Sequence, residues 1–231
     1  SSGQWPFATL LAQSDIPSLT FPIPSDELDK FPDYKKFYPN AVMETGYDIL
    51  RAWVSRMVML GFYVTGQKPF SDIVLHGLVN DPLGKKMSKS KGNVVNPLEV
   101  VSEYGADAVR FALVYGTALG HDQALSYPKL DAMRKFTNKL WNMGRFIEMK
   151  KDPEFKLSGS PSSFEDLKKI ATHESDKNMI KKMEDLSLDI TRLLDSYDFN
   201  HASQNLYEFA WHEFADKYIE DVKNRVDETS F

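Results

Sequence analysis

One segment of this chain constrains its fold more than any other. Two short apolar runs typical of buried strands, Ala41–Thr45 and Ile73–Leu75, flank Tyr47–Leu60, whose apolar residues recur at helical spacing. Gly61 and Gly66 are expected to close the helix. A strand–helix–strand order with a connection of this length predicts two parallel strands, and therefore an α/β nucleotide-binding domain.

The predicted sheet indicates where a ligand would bind. Ligands of parallel α/β sheets bind at the carboxyl ends of the strands. Those ends are Thr45–Asp48 and His76–Gly77, so they hold the first candidate site residues.

The flanking segments differ in character. Residues 1–40 are rich in proline, with Pro17, Pro22, Pro24, Pro32 and Pro39, which predicts an extended connector with one helical turn near Asp26–Lys30. Pro97–Tyr104 and Ala106–Val114 are expected to be two short helices, the first opening on a proline.

From Asp131 onward the pattern is helical, with a loop predicted at Ser158–Ser163. Three apolar stripes at helical spacing predict an all-α bundle with these residues in its core. The stripes are Phe136, Leu140, Met143 and Ile147; Met179, Met183, Leu186, Ile190, Leu193, Leu194 and Tyr197; and Tyr207, Trp211, Phe214, Tyr218 and Val222.

Composition excludes some classes of protein. Hydrophobic residues make up 42% and charged residues 26% of the chain, as in globular domains, and no apolar run is long enough to span a membrane. The absence of cysteine excludes disulfides and thiolate metal sites and fits a cytoplasmic setting. A net charge of −5 means that any nucleic acid must be bound by local basic patches.

The most unusual stretch is Lys85–Asn93, which has four lysines in its first seven residues. Such a run is typical of a solvated basic loop or a localisation signal. A second interpretation is chemical. The small residues Ser88, Ser90 and Gly92 would let the backbone approach a polyphosphate, while lysines neutralise charge developing on a leaving pyrophosphate.

Lys86–Ser90 spells KMSKS, and its flanks extend the match. His76–Val79 lies upstream, and Gly92–Pro97 and Tyr104–Arg110 follow downstream. In these segments the chain resembles the class I aminoacyl-tRNA synthetases. The resemblance implies that residues 41–130 are the second half of a Rossmann-like catalytic domain and that residues 131–231 are part of a helical anticodon-binding domain.

Three further segments resemble the valine-specific members of that family. They are Trp5–Leu10, Glu44–Leu50 and Phe209–Glu220. The implied reaction is activation of valine by ATP to valyl-adenylate, followed by transfer to tRNA(Val).

The resemblance assigns roles to individual residues. It implies that Lys86 and Lys89 are catalytic and act on the leaving pyrophosphate. The implied ATP-binding residues are Gly46 and Asp48 at the ribose, His76, Gly77 and Met87 at the adenine, and Ser88, Lys89 and Ser90 in the loop. Two purely structural alternatives stay open. His76 could be a packed or capped residue at a strand end, and Asp48 could be a helix N-cap.

The departures from the family are equally informative. The tetrapeptide HIGH, the second signature of the class, is absent, as are the editing insertion and a C-terminal coiled coil. We therefore expect a fragment in which residues 1–40 are the connector after the missing insertion. Its expected partners are valine, ATP, tRNA(Val) and the missing N-terminal half of the enzyme, and the chain alone is expected to be inactive.

The family uses Mg²⁺ that ATP delivers, held mainly by phosphates. The histidines outside the strand end show no metal-ligand spacing with acids, so we predict no protein-held metal.

A basic helix is the last candidate. Arg134, Lys135, Lys139 and Arg145 give it a local positive excess, which predicts contacts with tRNA phosphates. The alternatives are an ordinary exposed face, or ion pairs with acids such as Glu208 or Glu213 on a neighbouring helix.

Two other functions stay open beside a valine enzyme. One is an isoleucine-specific synthetase fragment, which the amino-acid pocket on the missing half would distinguish. The other is a non-catalytic tRNA-binding paralogue.

Overall fold

The computed structural model describes residues 2–12, 20–150 and 161–228. These residues belong to two units, Ser1–Leu78 with Leu119–Asp122 and Val79–Ala118 with Gln123–Phe231. Among the predicted features, Pro17 and residues 158–160 of the predicted loop lie outside the described residues.

The first forty residues are more structured than an extended connector. They hold a 3₁₀ turn, Ser2–Gln4, and three short helices, α1 (Trp5–Leu11), α2 (Ser25–Leu28) and α3 (Pro32–Phe37). Helix α2 confirms the predicted helical turn, whereas α1 and α3 correct the prediction. Each has a proline in its first turn, Pro6 in α1 and Pro32 in α3, where the missing N–H costs nothing.

These helices share a hydrophobic core, which is the physical reason that they form. The cluster consists of Phe7, Leu11, Ile23, Leu28, Phe31, Tyr34, Tyr38 and Val64. Val64 belongs to the helix of the strand–helix–strand segment, so the proline-rich stretch packs on the segment that follows it.

The predicted strand–helix–strand unit is confirmed. Strand β1 (Asn40–Gly46) pairs in parallel with β2 (Phe70–His76), in a register that runs from Asn40 opposite Phe70 to Gly46 opposite His76. The connection begins as a 3₁₀ turn, Tyr47–Ile49, continues as a π-helix, Leu50–Val54, and becomes α4 (Ser55–Thr65).

Helix α4 ends at Gly66, where φ is +73°, and Gly61 lies inside it rather than at its end. A Cβ at Gly61 would lie 3.0 Å from the Tyr38 hydroxyl and 3.1 Å from Pro69. Gly61 therefore permits close packing, and its predicted role as a helix terminator is wrong.

The second unit begins with a two-residue parallel pair, β3 (Val79–Asn80) and β4 (Gln123–Ala124). Helices α5 (Pro97–Tyr104) and α6 (Ala106–Val114) have the predicted bounds. They pack with the start of α7 (Tyr127–Lys150) around one core, whose buried members are Val100, Ala108, Val109, Ala112, Leu125, Leu130 and Met133.

Further helices follow in the described part of this unit: α8 (Phe164–Ile170), α9 (Glu174–Asp195), α10 (Phe199–Glu208) and α11 (Glu220–Glu228). A π-helix, Phe209–Ile219, joins the last two. The apolar stripes are buried only in part. Phe136 is 4% exposed, but Leu140 and Ile147 on the same stripe are 41% and 49% exposed.

The prediction of a fully buried stripe on α7 is therefore wrong, and so it is for Met183 and Leu194 on α9. Helical periodicity identifies the apolar face of a helix but not how far its neighbours extend along it. On α7 the buried residues are Leu130, Met133 and Phe136, all in its first half.

Candidate functional site

The carboxyl ends of β1 and β2 place two predicted residues side by side in the first unit. Gly46 and His76 are register partners. The His76 ring lies with Nε2 3.2 Å from Glu44 Oε1 and Nδ1 2.7 Å from the Gly77 carbonyl oxygen. Its side chain stays 47% exposed, so a ligand can still reach the ring.

Gly46 brings the predicted ribose-binding residue close to that ring. A Cβ at Gly46 would lie 2.9 Å from Asp48 Oδ1 and 3.6 Å from His76 Cε1. Asp48 is the second residue of the Tyr47–Ile49 turn, whose N-cap is Gly46. The N-cap alternative for Asp48 is therefore wrong, and its role at a ribose stays a prediction.

Gly77 is required by the close approach of the segment Leu119–Asp122. A Cβ there would lie 1.9 Å from the His121 carbonyl oxygen, which no larger residue tolerates. Asp122 Oδ1 accepts a hydrogen bond from Leu78 N at 2.7 Å, and its Oδ2 accepts one from the Tyr47 hydroxyl at 3.4 Å. The charge on Asp122 raises the pKa of Tyr47.

Asp122 and Tyr47 are not predicted as site residues from the sequence. Asp122 is 44 residues from Leu78 in the chain, and no local pattern indicates such a contact. The only available signal is Gly77 itself, since a glycine directly after a strand favours close backbone approach.

The KMSKS segment, hereafter the signature loop (Lys85–Asn93), lies in the second unit after β3. Lys86 forms an antiparallel bridge with Asn80. Residues Lys89–Lys91 form a 3₁₀ turn that ends at Gly92, where φ is +66°. The loop thus begins at an antiparallel bridge and reverses direction at Gly92.

Within the loop the predicted catalytic lysines differ from the residues between them. The side chains of Lys86 and Lys89 are exposed, whereas Met87 and Ser88 are half-buried. Met87 Sδ accepts a hydrogen bond from Val95 N at 3.3 Å, and the hydroxyls of Ser88 and Ser90 are 3.1 Å apart. Lys86 and Lys89 are therefore exposed on a loop in which Met87, Ser88 and Ser90 make these hydrogen bonds.

Two residues outside the predicted set hold the loop. Asp81 is 4% exposed, and Asn93 Nδ2 donates to its Oδ2 at 2.9 Å. This hydrogen bond is the main cause that lowers the pKa of Asp81, followed by the bond from the Lys85 backbone. An aspartate beside Pro82 suggests only a turn, so the sequence does not predict its link to Asn93.

The basic helix is largely ion-paired. Arg134 and Lys135 both contact Asp131, at 2.7 and 2.8 Å. Lys139 contacts Asp216 at 2.6 Å and lies 4.2 Å from the centre of the Trp211 ring.

The ion-pair alternative thus describes Lys139, with Asp216 in place of the suggested Glu208 or Glu213. Arg145 is exposed and has no ion pair with any residue that the structure describes. Contact of these four residues with tRNA stays a prediction.

Possible metal sites and membrane-spanning helices were sought among the residues that the structure describes. Within residues 2–12, 20–150 and 161–228, no group of three or more His, Asp or Glu side chains could hold a metal ion. Over the same ranges, no helix is both long and apolar enough to cross a membrane.

Comparison with known families decides what kind of chain this is. Residues 16–126 match the family described as tRNA synthetases class I (I, L, M and V), and residues 176–230 match the anticodon-binding domain of tRNA ligase. The valine--tRNA ligase of Dehalococcoides mccartyi strain CBDB1 is 42% identical over all 231 residues. The chain belongs to the class I tRNA synthetase family.

Other relatives agree. The valine--tRNA ligases of Fervidobacterium nodosum and Bacillus subtilis are 40% and 38% identical over 98% and 96% of this chain. The chain spans about a quarter of the length of these relatives: 24% of the first and 23% of the other two. The predicted family, the class I aminoacyl-tRNA synthetases, is confirmed, and these relatives are named valine--tRNA ligases.

Solved synthetase structures share the fold. A LeuRS of Agrobacterium radiobacter K84, in a ternary complex with tRNA and LeuAMS, has a TM-score of 0.64 at 22% identity, and the match covers 90% of this chain and 26% of that one. A methionyl-tRNA synthetase of Mycobacterium tuberculosis, in complex with methionyl-adenylate, has a TM-score of 0.57 at 20% identity, covering 76% and 33%. The predicted fold class is confirmed, whereas the predicted domain boundaries at residues 40 and 130 stay predictions.

Proposed function

We propose that this chain supplies the KMSKS half of the ATP site, and part of the tRNA-binding module, in an enzyme that joins valine to tRNA(Val). One observation carries the proposal: an ordered loop that presents Lys86 and Lys89 to solvent, in a chain about 40% identical to proteins named valine--tRNA ligase. Localisation in the cytoplasm belongs to the same proposal.

The reaction proceeds in two steps. A carboxylate oxygen of valine attacks the α-phosphorus of ATP, the bond from that phosphorus to the bridging oxygen breaks, and pyrophosphate leaves with the electron pair. A terminal ribose hydroxyl of the tRNA then attacks the carbonyl carbon of valyl-adenylate, and AMP leaves. The protein contributes chiefly by orienting the reactants and by stabilising charge in the transition state.

In the first step Lys86 and Lys89 neutralise the charge that grows on the departing pyrophosphate. Ser88 and Ser90 allow the phosphates to approach the loop backbone, and Met87 contacts the adenine. We assign His76 and Gly77 to the adenine, and Gly46 and Asp48 to the ribose. Mg²⁺ enters with ATP and is held mainly by its phosphates.

The helical part of the chain is assigned to tRNA. Arg134, Lys135, Lys139 and Arg145 contact phosphates of the tRNA backbone. Such contacts position the nucleic acid without reading its bases. Because Arg145 is exposed and has no described ion pair, it carries more of this role than Lys139, which already has an acidic partner.

A hybrid enzyme tests the proposal. The segment of Bacillus subtilis valine--tRNA ligase that matches this chain over 227 residues is replaced by the 231 residues, and valine-dependent exchange of labelled pyrophosphate into ATP is measured. We expect the hybrid to catalyse valine-dependent exchange, because the 231 residues supply the KMSKS half of the ATP site and the rest of the enzyme supplies the amino-acid pocket. A hybrid carrying both Lys86→Ala and Lys89→Ala is the control for the loop.

Two results would contradict the proposal. Valine-dependent exchange that is as fast with Lys86→Ala and Lys89→Ala as without them would contradict the role of the loop. A folded hybrid that binds tRNA but catalyses no exchange would favour the non-catalytic paralogue.

A further inference from the structure

The signature loop is held by a buried carboxylate. Asp81 stands just before the loop, and both of its oxygens accept hydrogen bonds. Oδ1 accepts from Leu83 N at 3.0 Å and from Lys85 N at 2.8 Å, and Oδ2 accepts from Asn93 Nδ2 at 2.9 Å. A buried carboxylate with three donors is a strong local constraint, because bonds to an ionised acceptor are stronger than neutral ones.

Asn93, the last residue of the loop, connects Asp81 to the backbone of the lysine signature. Its Oδ1 accepts a hydrogen bond from Ser88 N at 2.9 Å, and its Nδ2 also donates to the Lys86 carbonyl oxygen at 3.2 Å. One carboxamide thus contacts the backbone on both sides of Met87. Asp81 lies before the loop and Asn93 is its last residue; they are twelve residues apart in the chain and are joined by this side-chain contact.

This contact, hereafter the Asp81–Asn93 link, acts on the backbone of the loop and does not involve the Lys89 ammonium group. The Lys89 side chain makes no hydrogen bond or ion pair with the part of the chain that the structure describes, and it is exposed. Its position is therefore set by the backbone of the Lys89–Lys91 turn, which starts at Ser88. Ser88 N is one of the groups that Asn93 holds.

From this geometry we infer that Asp81 and Asn93 are positioning residues for the lysines of the signature loop. They touch neither ATP nor valine. They fix the loop so that Lys86 and Lys89 meet the pyrophosphate when its charge peaks. The catalytic half of this inference rests on the proposed function, while the structural half concerns the loop alone.

A residue that positions the lysines and a residue that only stabilises the fold have different effects on the kinetics. Without the link the lysines should move by a small distance, which lowers the rate of adenylate formation and leaves the affinity for ATP in the ground state nearly unchanged. We expect Asn93→Ala in the hybrid enzyme to lower kcat for exchange by about 10- to 100-fold, with KM for ATP within about threefold.

A matched control is three residues away. Asn96 also accepts a backbone N–H, that of Leu98 at 3.1 Å, but it caps α5 and does not contact the loop. Asn96→Ala should lower the melting temperature, as the loss of a helix cap does, and leave kcat within about twofold of the unsubstituted hybrid. If Asn96→Ala slowed exchange as much as Asn93→Ala does, the effect would be one of folding.

An exchange of the two side chains probes the link itself. Asn93→Asp alone places a second carboxylate against Asp81 and should be the most damaging single change. Asp81→Asn combined with Asn93→Asp restores one donor facing one acceptor, and the carboxamide oxygen introduced at position 81 can still accept from Leu83 N and Lys85 N. The hydrogen bond from position 93 to the Lys86 carbonyl oxygen stays lost, so the recovery is partial. We expect the double variant to recover at least about fivefold of the loss. If the two effects multiply instead, the residues act separately and the link is wrong.

Amide hydrogen exchange on the 231-residue chain decides the structural half without any activity. In Asn93→Ala, the Ser88 amide should exchange about five- to tenfold faster, as expected when one hydrogen bond is removed. The Leu98 amide should be unchanged there and should respond only to Asn96→Ala.

If the Ser88 amide exchanges equally in the unsubstituted chain and in Asn93→Ala, the inference fails, whatever the hybrid does. If instead the Ser88 amide behaves as expected and the unsubstituted hybrid is inactive, the failure belongs to the proposed function.

Discussion

The strand ends of the first unit and the signature loop of the second are positioned by different kinds of interaction. Gly46 and His76 face each other because the sheet register pairs them, so backbone hydrogen bonds fix their positions. In the signature loop, side chains replace a backbone ladder, and Asp81 and Asn93 hold the backbone of Lys85 and Ser88. The strand ends should therefore tolerate side-chain changes that the loop does not, and should be more sensitive to any change of backbone packing.

The largest expected effect concerns both regions together. We predict that the purified 231-residue chain alone gives no detectable valine-dependent exchange of pyrophosphate into ATP. Its 231 residues contain no HIGH tetrapeptide, and the family resemblance assigns ATP contacts to that signature. The hybrid enzyme, assayed at the same concentration, is the positive control. Exchange by the chain alone would mean that the strand ends and the signature loop suffice.

Lys89→Ala in the hybrid enzyme tests the loop side of the comparison. A cation that acts on the leaving pyrophosphate contributes most in the transition state. Removing one such interaction costs about 2.7–4 kcal/mol, or roughly 10² to 10³ in rate. Single-turnover kinetics should show this loss with the dissociation constant of ATP nearly unchanged. A normal rate with weaker ATP binding would contradict the assigned role, and Lys91→Ala, in the same turn, is the matched control.

Gly77→Ala tests the strand-end side. The added Cβ would collide with the His121 carbonyl oxygen, 1.9 Å away, so the segment Leu119–Asp122 has to move. We expect the free energy of unfolding to fall by about 1–3 kcal/mol, as in other overpacked sites, measured by urea denaturation of the 231-residue chain. Gly61→Ala, where the nearest atoms lie at 3.0 Å or more, should cost less. An unchanged stability in Gly77→Ala would show that Leu119–Asp122 yields easily.

The sequence predicts the elements that depend on local pattern, and it does not predict contacts between residues distant in the chain. Periodicity and length predict β1, β2, α5 and α6, because these elements depend on local apolar pattern and on prolines and glycines at their ends. The start of the β1–β2 connection as 3₁₀ and π turns, and the packing of residues 1–40, depend on contacts that local pattern does not encode. Thr65, for example, hydrogen-bonds to Tyr38 across 27 residues.

The candidate site divides likewise. The signature residues Lys86–Ser90 are recognisable from their letters and their flanks. Asp122 and the Asp81–Asn93 link are not, since each is defined by a partner that lies 12 or more residues away. Side chains of this kind become visible only once the backbone is folded.

The smallest expected effect concerns Arg145 and Lys139 on α7, in the part of the chain that we assign to tRNA. Lys139 is held by Asp216 and lies over Trp211, whereas Arg145 is exposed and has no ion pair with a described residue. We predict that Arg145→Glu weakens the affinity of the hybrid enzyme for tRNA. It should also flatten the slope of log affinity against log salt concentration by about 0.7–0.9 for each phosphate that is no longer neutralised. Its melting temperature should stay within about one degree, as for surface changes in general.

Lys139→Glu should show the opposite profile, because it puts a carboxylate against Asp216. Its melting temperature should fall, and its salt slope should flatten less than that of Arg145→Glu, because Lys139 carries less of the phosphate contact. Filter binding of tRNA at several salt concentrations, together with thermal unfolding of the same preparations, measures both quantities. If Arg145→Glu leaves the salt slope unchanged, the basic face of α7 is an ordinary solvated surface. If Lys139→Glu flattens the slope as much as Arg145→Glu does, the ion pair with Asp216 gives way to a phosphate when tRNA binds.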